Sequence, residues 1–373
     1  MSILTNKRTT QSYLEKLSSS PKNTAENVRA TINNFIKFVK EKHRSTPDKI
    51  CEELIYIKKS KGDEEYEELL YRTLQEWIDW NVSRDAGPYS IRMRFSIIRS
   101  YLYHLGVKTN PQDIKQLLKF PKRINEERYP IKKKELSDLV LAQARYPKRK
   151  ALYLACSSSG MRMGEALKIR KKDLDFSLER IMVRIKPEYT KTKTARTTFL
   201  SKECGEELRT FLDKISDDDF VFSDSKKDYK MRNEQQALSR ALEALGYNQK
   251  YSSNGFYKIT SHNFRAYFFT AATRKHDENY AHKMVGHGGY LMQYDRMTDE
   301  EKLRMYLELE PDLVVFEQTK NELEISRLRE ENQSIKELRE EVRKLREYRA
   351  EQDKILLEKM RKEHILPPTD REL

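Results

Sequence analysis

Cysteine is scarce in this chain: Cys51, Cys156 and Cys204 are the only three among 373 residues. An odd, scattered set of this kind makes neither a disulfide framework nor a zinc knuckle, which predicts a reducing, cytoplasmic setting. His and Cys never fall at metal-ligand spacing, so neither a metal nor a cofactor is expected. No apolar run is long enough to cross a bilayer. The segment from Met1 to Ser20 is polar and has no signal-peptide core. A peripheral membrane role would need a basic amphipathic helix or a lipid anchor, and no convincing candidate for either is found.

Positive charge, by contrast, is in surplus. Lys and Arg number 73 against 59 Asp and Glu, a formal net charge of +14. Such a surplus favours a polyanion as partner, because each neutralised phosphate releases counterions. Double-stranded DNA is the expected partner. The charged share is 35%, but 14 Phe and 21 Tyr are too many aromatics for a disordered chain. The length predicts two domains and an appendage.

Hydrophobic spacing predicts a mainly α protein. Val28, Ile32, Phe35, Ile36 and Val39 form one helical stripe; Leu69, Leu70, Leu74, Trp77 and Ile78 form a second; Ile91, Phe95, Ile98, Tyr101 and Leu102 form a third. These place a helical domain over 1–119. Arg92, Arg94 and Arg99 interleave with the third stripe and are expected DNA contacts. A basic linker follows over 120–134, in which Lys122, Arg123, Lys132 and Lys133 are further expected contacts. An α+β domain is expected over 135–315. Within it Arg180–Lys186 and Arg196–Leu200 read as strands of a small hairpin with lysines at its tip. Helices are expected over Lys150–Ser158, Cys204–Ile215, Gln235–Leu245 and Phe264–Arg274. The segment 316–373 is charged. Leu328, Ile335 and Val342 share one heptad position there, and Leu338 and Leu345 another, so a coiled-coil helix is expected, pairing with itself or a protein partner through 321–357.

Six positions carry the chemistry. Arg162 follows Ser157-Ser158-Ser159-Gly160, which reads as a turn and helix cap ahead of a helix that buries Leu167. A guanidinium there would grip two phosphate oxygens through parallel hydrogen bonds. Thr260-Ser261 caps a helix on which His262 and Arg265 lie three apart, on one face. His287 stands among glycines, where the backbone comes close to a ligand. Tyr294 offers a phenol; its ordinary pKa is about 10, and neighbouring cations favour the nucleophilic phenolate. Lys191, or else Lys193, on the hairpin tip is placed to protonate a leaving hydroxyl.

Taken in order, Arg162, Lys191, His262 with Arg265, Gly286-His287 and Tyr294 resemble the tyrosine recombinase, or phage-integrase, family. The run Gly286-His287-Gly288-Gly289-Tyr290-Leu291 is most similar to archaeal and archaeal-virus integrases. Glu165, three residues after Arg162, also matches the family's helix. The resemblance covers roughly Glu135 to Glu310. It implies a helical core-binding (SAM-like) domain, a recombinase-type catalytic domain, strand cleavage through a 3′-phosphotyrosine and four protomers on two DNA sites. The interval from His287 to Tyr294 is shorter than the family pattern, which makes Tyr290 the alternate nucleophile. Two other readings share these residues: a type IB topoisomerase, and a non-catalytic dimeric DNA-binding protein.

Overall fold

Helices dominate because apolar side chains recur at a helical period and close on one another in three separate clusters. The computed structural model describes residues 8–223, 231–287 and 296–362. It divides into two units. The first runs to Glu126 and takes in Ser252–Asn254; the second holds Glu127–Tyr251 and everything from Gly255 onward.

The first unit consists of α1 (Thr10–Lys16), α2 (Lys22–His43), α3 (Pro47–Ser60), α4 (Asp63–Val82), α5 (Pro88–His104) and α6 (Pro111–Leu117). The three stripes meet in its core, where Ile32, Phe35, Leu74, Trp77, Ile98 and Tyr101 are buried. Phe38, outside the stripe expected for α2, is buried as well. A polar seam crosses this core. Trp77 Nε1 donates to Asn34 Oδ1 at 3.1 Å, Asn34 donates to Asn81 Oδ1 at 3.2 Å, and Arg94 donates to the same oxygen at 3.2 Å. Such a chain satisfies groups that would otherwise be costly to bury.

The second unit is α+β. Its elements begin with α7 (Lys133–Leu141), α8 (Pro147–Ser159) and α9 (Met163–Ala166), followed by β1 (Leu174–Asp175), β2 (Met182–Ile185) and β3 (Arg196–Phe199). Then come α10 (Lys202–Arg209), α11 (Met231–Ala244), α12 (Ser261–Lys275), α13 (Glu278–Val285), α14 (Asp299–Leu313) and α15 (Glu317–Lys362). The strands form an antiparallel sheet in the order β1-β2-β3, with Ile185 opposite Arg196 and Met182 opposite Phe199. The expected hairpin is therefore β2–β3, and β1, only two residues long, is an addition to it. Helix α8 is almost wholly buried and packs against α10 and α12.

Two local expectations need correction. The helix expected over 204–215 ends at Arg209, and Leu212–Lys214 is a separate 3-10 turn. The Thr210 hydroxyl donates to the Glu207 carbonyl at 2.7 Å, a local bond that competes with helix continuation. The Ser157–Ser159 run does not cap the helix that follows it. It is the buried last turn of α8, and its hydroxyls bond to carbonyls one turn back, Ser158 to Leu154 at 2.7 Å and Ser159 to Ala155 at 2.5 Å. Among the described residues, no helix is long and apolar enough to cross a membrane.

Candidate active site

Gly160 starts the site. It ends α8 in the left-handed region, φ 66°, where glycine is favoured. A Cβ there would lie 2.6 Å from Phe268 Cδ1 and 2.8 Å from Val285 Cγ1. The absent side chain thus lets α8, α12 and α13 converge. Past this turn Arg162 caps the short helix α9.

Arg162 donates to Glu165 Oε1 at 2.7 Å, and Arg196 donates to Glu165 Oε2 at 2.6 Å. The Glu165 side chain is only 3% exposed and that of Arg196 7%. Burial pushes the Glu165 carboxyl upward, but the charge and hydrogen bond of Arg196, with the bonds from Arg162, outweigh it and hold the group below its usual value. Arg196 comes from β3, so one carboxylate joins the turn after α8 to the sheet. Its Nε also donates to the Met284 carbonyl at 3.1 Å.

Arg265 enters from α12. Its guanidinium donates to the Gly160 carbonyl at 2.6 Å and to the Val285 carbonyl at 2.7 Å. The last carbonyls of α13, at Met284 and Val285, therefore hold two arginines. Helix C-terminal carbonyls lack intrahelical donors and carry partial negative charge, which suits cations. Burial, followed by the like charges of Arg162 and Arg196, presses the Arg265 guanidinium down to about 9. It still stays charged at neutral pH. Three guanidinium charges against the single carboxylate of Glu165 leave a local surplus of two positive charges (3 − 1).

His287 follows Gly286, which ends α13 with φ 71°. A Cβ on Gly286 would sit 2.8 Å from the Arg196 side chain, so this glycine admits the arginine. The His287 amide donates to the His282 carbonyl at 3.0 Å, and the two Nδ1 atoms lie 3.0 Å apart, one ring donating to the other. Burial first, and then the charges of Arg265, His282, Arg162 and Arg196, push the His287 imidazole below its usual value.

The fold thus gathers Arg162, Arg265 and His287 with Arg196 and Glu165. His262 sits in the first turn of α12, exposed, where Thr260 Oγ1 accepts from its amide at 3.3 Å. Lys191 and Lys193 are exposed on the β2–β3 loop, above a buried Thr190 whose hydroxyl ties Pro187 and Thr194 together. Tyr294 and the alternate Tyr290 lie outside the described residues. Of the expected DNA contacts, Arg92 stacks over Phe120 at 4.5 Å and Arg99 donates to Thr109 at 3.3 Å. Lys122, Arg123 and Lys132 are exposed, and Lys133 pairs with Glu317 at 2.8 Å. Arg196 was not foreseen as a site residue. Its one sequence signal is an arginine opening a strand directly after the lysine-bearing loop.

Three cations from separate chain segments around one acid can bind a tetrahedral oxyanion and stabilise charge that grows on it. Comparison with known proteins narrows the anion. No curated protein sequence matches the chain. A lambda integrase dimer bound to a COC′ core site is 14% identical with a TM-score of 0.54, over 78% of this chain and 79% of that one. A lambda integrase tetramer bound to a Holliday junction is also 14% identical, with a TM-score of 0.52 over 77% and 78%. At such identity these likenesses speak for the fold. The family model "Phage integrase family" matches residues 110–299, half of the sequence and every described member of the cluster. The chain belongs to the phage integrase family and is a site-specific tyrosine recombinase.

Proposed function

We propose that the arginine cluster holds the scissile phosphodiester of a DNA strand and that Tyr294 attacks it. One observation carries this reading: Arg265 is buried on two carbonyls instead of a carboxylate, beside two further guanidiniums. A fixed, partly desolvated positive surplus is what an oxyanion site requires. Among the described residues, Arg265 spends two of the five N–H donors of a guanidinium on those carbonyls, and the remainder suit phosphate.

In the proposed step Tyr294 gives up its phenolic proton to water, a bond forms between its Oη and phosphorus, and the bond from phosphorus to the sugar 5′ oxygen breaks. That oxygen takes a proton from Lys191, with Lys193 the alternate, and the strand is left as a 3′-phosphotyrosine. The diester linkage is conserved, so the free 5′-hydroxyl of a partner strand reverses the reaction without ATP. Guanidinium charge serves the non-bridging oxygens, a task divalent cations perform in many other phosphoryl transfers, and the chemistry is complete without a cofactor. His262 and His287 supply hydrogen bonds to the same phosphate. The helical domain (1–119), the basic linker (120–134) and the catalytic domain (135–315) clamp the duplex, with Arg92, Arg94, Arg99, Lys122, Arg123, Lys132 and Lys133 on its backbone. Four protomers act on two sites, in the cytoplasm, and the tail (316–373) associates through 321–357.

The test is covalent capture of a nicked duplex that carries the target site. Tyr294→Phe should abolish the denaturant-stable adduct and leave DNA binding intact, whereas Tyr290→Phe should leave capture unchanged. Persistent capture by Tyr294→Phe would overturn the assignment, and loss in Tyr290→Phe alone would move the role there.

A further inference from the structure

Helix α15 is anchored at one end and bare along the rest. Glu203 accepts from the amides of Val315 at 3.0 Å and Phe316 at 2.8 Å just before the helix begins, and Lys202 pairs with Glu322 at 2.8 Å. From Glu324 to Lys359 every residue is exposed. Among them Leu328 is 51% exposed, Ile335 40%, Leu338 60%, Val342 46% and Leu345 61%. These five fall on the two positions of a heptad seam, Leu328, Ile335 and Val342 at the first and Leu338 and Leu345 at the second. An exposed apolar seam of this kind is what a coiled-coil partner covers.

We propose that α15 pairs with α15 of a second copy of this chain, antiparallel and centred on Glu340. Charge selects the direction. The seam positions that flank Ile335–Leu345 are Glu331, with Leu328 one layer beyond it, and Arg349. A parallel, in-register pair would set glutamate against glutamate and arginine against arginine in these layers. The antiparallel pair sets Glu331 against the partner's Arg349, and by symmetry does so at both ends. Ile335 then meets the partner's Leu345, and Leu338 the partner's Val342. The arrangement has a cost at the rim, where Arg339 approaches the partner's Arg339 and Glu341 the partner's Glu341. A parallel pair would instead gain Glu341 with the partner's Arg346. Rim charges remain in water and are screened, whereas charges within the seam are partly desolvated, so the seam decides.

The geometry has a consequence for the assembly. Glu317 lies 23 positions from Glu340. At 1.5 Å per residue a straight antiparallel pair sets the two helix roots about 70 Å apart, roughly two turns of B-form DNA. A parallel pair would bring the roots together. This inference deepens the tail assignment made above and is independent of the cleavage chemistry, so capture by Tyr294 and pairing by α15 can fail separately.

The experiment uses the full chain. The three native cysteines are buried, so introduced thiols report the seam. Leu338→Cys and Val342→Cys, each alone, should stay uncross-linked on mild oxidation, because an antiparallel partner displaces like positions along the axis; mixed, they should give a disulfide-linked dimer. Self-cross-linking of Leu338→Cys alone would establish a parallel pair and overturn the proposal. In light scattering, Glu331→Arg or Arg349→Glu should raise the half-dimerisation concentration roughly tenfold, and the double variant should restore it. A chain that is monomeric at all concentrations, or that uses the stripe only for a different protein, would overturn it too.

Discussion

Arg196 offers the sharpest test of the site, because its side chain is bound at both ends. Arg196→Ala leaves Glu165 buried with Arg162 as its remaining cation, and takes the donor from the Met284 carbonyl. Removing one partner of a buried ion pair typically costs about 3–5 kcal/mol. Arg162 still holds the carboxylate, which offsets part of this, so a loss of about 2–4 kcal/mol is expected. In a domain of this size that lowers Tm by about 5–15 °C. Arg196→Lys restores the charge but not the fork that reaches Glu165 and Met284 together, and should recover only part of the loss. Stability alone would make Arg196 a packing residue. Because it ties Arg162, through Glu165, to the turn that carries His287, covalent capture should also slow at least about tenfold at temperatures where the variant is fully folded. Arg180→Ala supplies the control. Arg180 binds the buried Glu310 with Nε at 2.9 and 3.0 Å, and among the described residues neither bonds to a member of the cluster, so its loss should lower Tm comparably and leave the capture rate per folded molecule intact. A Tm change below about 2 °C for Arg196→Ala, or capture at the original rate, would refute the reasoning.

Further outcomes follow from the same geometry. Gly160→Ala places a methyl group against Phe268 and Val285 in a left-handed turn, and should cost about 2–4 kcal/mol in a denaturant titration while displacing the carbonyl that holds Arg265. His287 should titrate below its usual 6.5 in an NMR pH series, since burial and the surrounding cations disfavour its charged form. A folded value below the unfolded one means that this group's contribution to stability is present above pH 6.5 and is lost as pH falls through that window. Inorganic phosphate should raise the His287 value by neutralising Arg265 and its neighbours; an imidazole titration indifferent to phosphate would count against a shared anion site. Glu165→Gln removes the one negative charge among three guanidiniums, and should tighten phosphate binding in calorimetry even as it destabilises the fold; weaker phosphate binding by the folded variant would contradict the charge balance drawn here.

What could be read from the chain alone was whatever repeats locally. The stripes through Ile32, Leu74 and Ile98 could be seen because a helix buries every third or fourth residue, and a reader needs no partner to find them. Thr260 could be recognised as a cap because its bonds reach only His262 and Asn263. The hairpin was legible from Ile181, Val183 and Ile185, but β1 was not, since a two-residue strand has no period and exists only through its pairing with Met182 and Val183. The serine run misled for a related reason. The same residue types that open a helix can close one by bonding backward, and the choice was made by burial against α10 and α12, which no local window contains. Arg196 is the extreme case. Its partners are 31 residues before it and 88 after it, so its place after the lysine-bearing loop is the one local sign of a site. Arg162 and Arg265 were found because their neighbours follow a family pattern, whereas the residue that joins them to the sheet owes its place to contacts that exist only in the fold. A search of such chains for site residues should therefore look for buried arginines that bridge a carboxylate and a helix C-terminus, since a charge carried that far into a protein must be compensated by groups the local sequence does not contain.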